Sequence, residues 1–169
     1  MPVASGRSCK RIEVERRQDE GDGMARLEGM NRDQVMECTR LYMEVFNGEP
    51  WNDAWTMETA YQRLIDIFDT PNFAGVLYHE EGKVKGAAFG NIEQFYDGRH
   101  YMLKEMFVAA DLQGKGVGSG ILRELEVKLK DFGVTTIILF TSKGNDTSRF
   151  YLSNGFEEWT SMAMMGKEI

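Results

Sequence analysis

Met102-Leu-Lys-Glu-Met-Phe-Val108, Ala109-Ala-Asp-Leu112, Gln113-Gly-Lys-Gly-Val-Gly-Ser-Gly120 and the run from Ile121 to Phe132 decide how this chain folds. The first piece reads as a strand, the third as a glycine-dense turn, and the last as an amphipathic helix. Glycines stand at 114, 116, 118 and 120, where the apolar pattern starts a helix. Each glycine within a helix costs roughly 0.5–1 kcal/mol relative to alanine, so this placement needs a compensating reason. One is close approach of a ligand to bare backbone: the first amides of a helix lack intrahelical partners and sit at its positive end, where a phosphate binds. The other is tight packing of the helix on its sheet. Four glycines at this spacing favour the ligand.

Working outward, Val117, Ile121, Leu122, Leu125, Leu129 and Phe132 form the helix stripe, which Gly133 ends. Val134 to Thr141 is nearly continuous and β-branched, as for a strand buried on both faces. Strand, crossover helix and strand predict a parallel pair with a right-handed connection, and ligands in such units collect at the carboxyl ends of the strands. Residues 145 to 154 read as a short helix stopped by Gly155, and Phe156 to about Met165 as a last strand or hairpin arm.

Upstream, residues 1–23 carry many charges and few apolar side chains and are expected to be a mobile polar tail. Residues 24–169 are expected to form one domain. Met24 to Gly29 reads as a strand, Arg32 to Phe46 as a helix capped by Asn31, and Met57 to Phe68 as a helix capped by Thr56. Phe73 to Glu80 and Lys83 to Ile92 read as a hairpin across Glu81-Gly82, Glu93 to Arg99 as a loop, and His100 to Val108 as the strand entering the glycine turn. His79 and His100 are expected on the solvent side of their strands. Between the first two helices, Glu49-Pro-Trp51-Asn-Asp53-Ala-Trp55 sets two tryptophans among carboxylates. That loop either walls a pocket for an organic cation or caps the end of the core.

The 169 residues suit a single substantial core. A net charge of −7 argues against nucleic-acid binding, which draws on clustered basic surface, and suits a cationic partner. Cys9 and Cys38 make neither a disulfide framework nor a metal-ligand spacing, and no metal is expected. No apolar run approaches membrane length and no signal-type segment opens the chain, so the expected location is cytoplasmic, with no membrane partner.

The dinucleotide fingerprint needs glycine at 119 or 121, which hold Ser119 and Ile121, and the P-loop needs Ser or Thr where Gly116 stands. What remains is Gln113-x-x-Gly116-x-Gly118 directly after a strand ending Phe107-Val108. This resembles the pyrophosphate loop of the GNAT superfamily of acyl-CoA N-acyltransferases. Phe150-Tyr151-Leu-Ser-Asn-Gly155-Phe156 resembles the tyrosine-to-Gly-Phe ending of the same superfamily. The resemblance spans Met24 to Met165 and is more specific in the second half. It implies an α/β (α+β mixed) fold: a mostly antiparallel central sheet, one parallel pair at the cofactor site, and about four flanking helices.

The resemblance also implies an enzyme, moving the acetyl group of acetyl-CoA to a primary amine by direct attack in a ternary complex. Backbone amides of Gln113, Gly114, Lys115, Gly116, Val117, Gly118 and Ser119 are then the pyrophosphate ligands. The pantetheine arm would run beside Met106, Phe107 and Val108 as a pseudo-strand. The family often has an asparagine seven residues before its tyrosine; here Gly144 holds that place and Asn145, one residue later, is the candidate for that cofactor contact. An amine of pKa about 10.4 is free base in roughly one molecule of 2,500 at pH 7, so a base or an ordered water chain helps. Glu105 matches a carboxylate that some members use; strand alternation puts it on the face of Leu103 and Phe107, opposite Met106 and Val108. It is either that base or an exposed strand glutamate. Tyr151 matches the usual proton donor to the CoA thiolate, and without the resemblance reads as core packing.

The acceptor expected from these features is a small, cationic amine, with Glu49, Trp51 and Trp55 as candidate substrate-binding residues and a faint resemblance to aminoglycoside N-acetyltransferases. Protein amines stay open as acceptors, as does a homodimer. A non-catalytic acyl-CoA-binding or regulatory domain is the alternative function, against which the presence of both Glu105 and Tyr151 argues.

Overall fold

The computed structural model describes residues 26–169, with side chains from Glu28 onward. The tail expected at residues 1–23 lies outside the described residues. Two compact units are found, one ending at Ile138 and one formed by Leu139–Ile169.

The first unit holds a five-stranded sheet in sequential order, β1 (Arg26–Gly29), β2 (Phe73–Glu80), β3 (Lys83–Phe95), β4 (Gly98–Val108) and β5 (Val134–Ile138). Pairs are antiparallel up to β4, and β4–β5 is parallel. The expected mixed sheet with one parallel pair is therefore present. Helices α1 (Val35–Phe46) and α2 (Met57–Asp69) pack on each other and on β3. Their buried stripes, Val35, Cys38, Leu41, Tyr42 and Val45 with Ala60, Leu64, Ile65 and Phe68, meet Leu77, Ala87, Phe89 and Phe107 in one cluster. Helix α3 (Val117–Asp131) buries Ile121, Leu122, Leu125 and Leu129 and contacts β2, β3, β4 and β5.

The caps are where local chemistry puts them. Asn31 accepts from the Asp33 amide while Gln34 returns to the Asn31 amide, starting a single 3-10 turn at Arg32–Gln34 that runs into α1. Thr56 and Thr59 cap α2 in the same reciprocal way. Each reciprocal box satisfies two amides that the helix itself leaves open.

Four expectations are corrected. The loop foreseen at Glu93 to Arg99 is mostly strand: β3 runs on to Phe95 and β4 starts at Gly98. His79 and His100 are buried, not solvent-facing, at 5% and 8% exposure. His79 lies opposite Val84 after an irregularity that skips Lys85, and its Nε2 is 3.0 Å from Glu28 Oε1. His100 is covered by Phe95, stacked at 4.3 Å because the hairpin extends that far, and its Nε2 is 3.2 Å from Asp97. β5 is five residues long and half-buried, not an eight-residue strand buried on both faces. Its last pair is Met102 with Ile138, and β4 bulges two residues later, so no ladder partner continues for Leu139 to Thr141.

The second unit holds α4 (Asp146–Ser153), inside the expected span, with Asn145 accepting from the Ser148 amide and the chain turning at Gly155. The strand foreseen from Phe156 to Met165 does not form; that stretch has only a turn, Met162 N–H to Trp159 carbonyl. Peptide groups with no neighbouring strand to pair with have no reason to extend.

Candidate active site

The glycine turn is built from both ends. Leu112 is buried at the end of a short 3-10 turn, Ala110–Leu112, and Lys85 reaches Asp111 at 3.3 Å from β3. Gln113 donates from Nε2 to the Val108 carbonyl at 3.0 Å, folding the turn back on the end of β4. Its side chain therefore shapes the loop, and its amide donates to the Ala110 carbonyl at 3.3 Å while that of Lys115 donates to the Leu112 carbonyl at 3.4 Å, so the turn itself uses these two of the amides expected for the pyrophosphate. Gly114 and Gly116 adopt φ of +72° and +84°, in the left-handed region where side chains are strained. A Cβ at either position would meet nothing within 4 Å. Steric crowding thus does not explain these glycines; backbone conformation does, and it leaves an open cradle. Gly116 is the N-cap residue of α3 and no side chain caps the helix, so the amides of Val117, Gly118 and Ser119 start it without intrahelical acceptors. The donor set, bare amides at the positive end of a 15-residue helix, fits a pyrophosphate.

The preceding strand offers the second element. Ala109 N–H donates to the Lys85 carbonyl on β3 at 2.8 Å, so alternation turns the Met106 and Val108 peptide groups away from β3. β5 pairs only with Arg99 to Met102, which leaves that edge of β4 without a partner strand in its last residues. An extended chain of amide groups, such as pantetheine, can bond along such an edge.

Glu105 owes its setting to a bulge. It stands opposite Phe89, and Phe107 opposite Ala87, but Leu103 stands opposite Gly90, with Lys104 left without a partner. Alternation counted on the sequence puts Glu105 with both Leu103 and Phe107; the bulge keeps Phe107 and sends Leu103 to the other face, outside the cluster that holds Phe89 and Phe107. Gly90 makes the bulge fit, since a Cβ there would lie 1.9 Å from the Met102 carbonyl oxygen. Glu105 is consequently 10% exposed and accepts from Arg63 Nε at 2.8 Å. The Tyr42 phenol faces it as well. Burial raises the Glu105 carboxyl above its usual range, partly offset by Arg63 and Tyr42. Burial, then the charge of Glu105, raises the Tyr42 phenol. Arg63 and Tyr42 were not legible as site residues: one reads as a solvated α2 charge, the other as a core aromatic, and each lies far from Glu105 in sequence.

Aromatic rings adjoin this carboxylate. Tyr42 meets Phe107 at 5.4 Å and Trp55 at 5.2 Å, and Phe46 meets Trp51 at 5.7 Å. Trp55 is pinned through both backbone groups by the Asn47 side chain and through Nε1 by Asp53 at 3.0 Å. Trp55 packs on the core cluster and Trp51 on the Phe46 ring, and both are half-exposed. Glu49 precedes Pro50 in the same loop and makes no side-chain hydrogen bond among the described residues.

In the second unit, the Tyr151 ring packs between Phe150 at 5.2 Å and Phe156 at 5.3 Å. Asn145 Oδ1 is committed to capping α4. Among the described residues no cluster of His, Cys, Asp and Glu is placed to hold a metal, and no helix is long and apolar enough to cross a membrane.

Residues 35–156, well over half of the chain, match the sequence profile of the acetyltransferase (GNAT) family. The chain belongs to the GNAT acetyltransferase family. As a member it is an acetyl-CoA-dependent acetyltransferase, and the resemblance read from Gln113 to Gly118 is borne out. Among solved structures, an integron cassette protein from the mobile metagenome of V. cholerae is similar with a TM-score of 0.72 at 17% identity, over 86% of this chain and 94% of that one. Aminoglycoside N-acetyltransferase AAC(6')-Iy in complex with CoA is similar at TM-score 0.69 and 17% identity, over 90% and 100% of the two chains. Aminoglycoside acetyltransferase meta-AAC0020, from an uncultured soil metagenomic sample and in complex with sisomicin, is similar at TM-score 0.68 and 14% identity, over 86% and 96%. At these identities the likeness is one of fold. No curated protein matches the sequence.

Proposed function

We propose that this GNAT protein acetylates the primary amine of a small, cationic molecule, with Glu105 as the base. The observation that carries the reading is the buried Glu105 carboxylate, held between Arg63 and Tyr42 on the strand that leads into the glycine turn. Its raised pKa suits it to take a proton from an ammonium, directly or through water. The freed nitrogen attacks the thioester carbonyl carbon, forming the C–N bond as the C–S bond breaks, and its second proton leaves to solvent. The thiolate is protonated by Tyr151, a role that rests on the sequence resemblance of Phe150 to Phe156.

The amides of Gly114 and of Gly116 to Ser119 are proposed to hold the pyrophosphate, with the Lys115 side chain adding local charge, and the Met106 and Val108 backbone to align the pantetheine. Phe107 supports that strand from the core side, being 3% exposed. Asn145 retains only its amide nitrogen for a cofactor contact, its oxygen being the α4 cap. A cationic acceptor is supported by the net charge of −7, by Trp51 and Trp55 beside Glu49 and Asp53, and by the aminoglycoside enzymes among structures of similar fold. The test is release of free thiol from acetyl-CoA across a panel of small amines. Turnover confined to peptide or protein amines would overturn the small-molecule reading, and CoA binding without turnover would favour a regulatory domain.

A further inference from the structure

Arg63 does more than neutralise Glu105. Its Nε is spent on the carboxylate at 2.8 Å, while its side chain remains 44% exposed. Among the described residues Nη1 and Nη2 have no hydrogen-bond or ion-pair partner. A planar guanidinium fixed at one nitrogen has its other two aimed, and a pair of N–H groups on such a fork matches the two oxygens of a carboxylate. An ammonium arriving at Glu105 meets this fixed positive charge at close range, where like charges repel. Beside Glu105 stand Tyr42, a neutral phenol, and further out Asp53, a carboxylate held by the Trp55 indole. A carboxylate on the acceptor would offset the guanidinium charge directly.

We propose that Arg63 binds a carboxylate carried by the acceptor next to its amine, so that the substrate class is an amino acid and not a simple amine. The inference rests on Glu105 receiving the amine, as in the proposed function. The separation suits it, because the base oxygen and the fork are one hydrogen bond and one guanidinium apart, the scale of an ammonium and a carboxylate on a shared carbon. It also accommodates the cationic preference, since a basic amino acid carries a further cation that the acidic Glu49 to Trp55 loop can face. Arg63 is then a specificity-determining residue.

The experiment compares kcat/KM, by thiol release from acetyl-CoA, within pairs that differ by one carboxylate: arginine against agmatine, and phenylalanine against phenethylamine. Differences in intrinsic amine basicity within a pair are the same for every variant, and a change in base strength at Glu105 acts on both members of a pair. The readout is therefore the change in the ratio between the wild-type protein and Arg63→Gln. The ratio of carboxylate-bearing to carboxylate-free substrate is expected to fall about tenfold or more, the worth of a charge-assisted hydrogen bond, and Arg63→Lys is expected to retain part of it. A ratio that Arg63→Gln leaves unchanged overturns the inference. Should Arg63→Gln fail to fold, Arg63→Lys decides in its place: a point charge without the fork lowers the ratio if the fork reads the carboxylate, and an unchanged ratio again overturns it. Absence of thiol release with every amine overturns the acetyl-transfer reading of Glu105 and this inference together, whereas release that ignores the carboxylate overturns this inference alone.

Discussion

Replacing Gly116 by aspartate and by asparagine separates what the glycine turn does for folding from what it does for the cosubstrate. Both side chains enter a position with φ +84°, where an added Cβ meets no atom within 4 Å. Both therefore carry the same backbone strain, about 1 kcal/mol and less for these two residue types than for others. They have nearly the same shape and differ by one negative charge. That charge stands at the N-cap of α3, among the amides proposed to hold the pyrophosphate. Two unit charges about 4 Å apart repel by about 1 kcal/mol in bulk water and about 4 kcal/mol at the effective dielectric near a protein surface. Because the turn is exposed, the expected loss in CoA affinity for aspartate relative to asparagine lies between about 5-fold and about 1,000-fold. Titration calorimetry with CoA measures it, and urea denaturation of the two unliganded variants confirms that their stabilities agree within about 1 kcal/mol. Equal CoA affinities for Gly116→Asp and Gly116→Asn would refute the docking of an anion on these amides.

The pH dependence of the reaction should move when Arg63 is removed. Burial raises Glu105 and Arg63 lowers it, so in Arg63→Gln the carboxyl stays protonated to higher pH and the acidic limb of kcat/KM shifts upward; a limb that stays put or moves down would deny Glu105 the role of base. Gly90→Ala should destabilise the fold by about 3 kcal/mol in urea, since the added Cβ would sit 1.9 Å from the backbone oxygen of Met102. Gly120→Ala, whose Cβ meets nothing nearer than 3.9 Å, should instead stabilise α3 by about 0.5–1 kcal/mol; a destabilising Gly120→Ala would revive tight helix packing as the reason for that glycine. Tyr151→Phe should lower kcat about tenfold or more while CoA affinity changes little, and a variant at full rate would leave Tyr151 as packing between Phe150 and Phe156.

What could be read without coordinates was whatever neighbours along the chain dictate. Asn31 and Thr56 announce helix starts because their side chains reach amides two or three residues on. Gln113 to Gly118 announces an anion cradle because loop, amides and helix dipole all lie within a few residues. The family followed from that motif, and the mixed sheet from the family.

Tertiary structure decided everything that depends on a second segment. Alternation along β4 mispairs Glu105 with Leu103, because the irregularity at Lys104 arises from how Gly90 and Met102 meet across two strands. The partners of Glu105 could not be named, since Arg63 and Tyr42 come from two other helices and only packing brings them together. His79 and His100 look like surface residues until Glu28, Val84 and Phe95 are laid over them. The end of β5 at Ile138 is invisible in a β-branched run that continues to Thr141, because a strand lasts only as long as its neighbour offers a ladder. A residue's local conformation is a matter of a few covalent bonds and is written in order along the chain; the charge, burial and reactivity of Glu105 belong to an environment gathered from distant positions, and only folding assembles it.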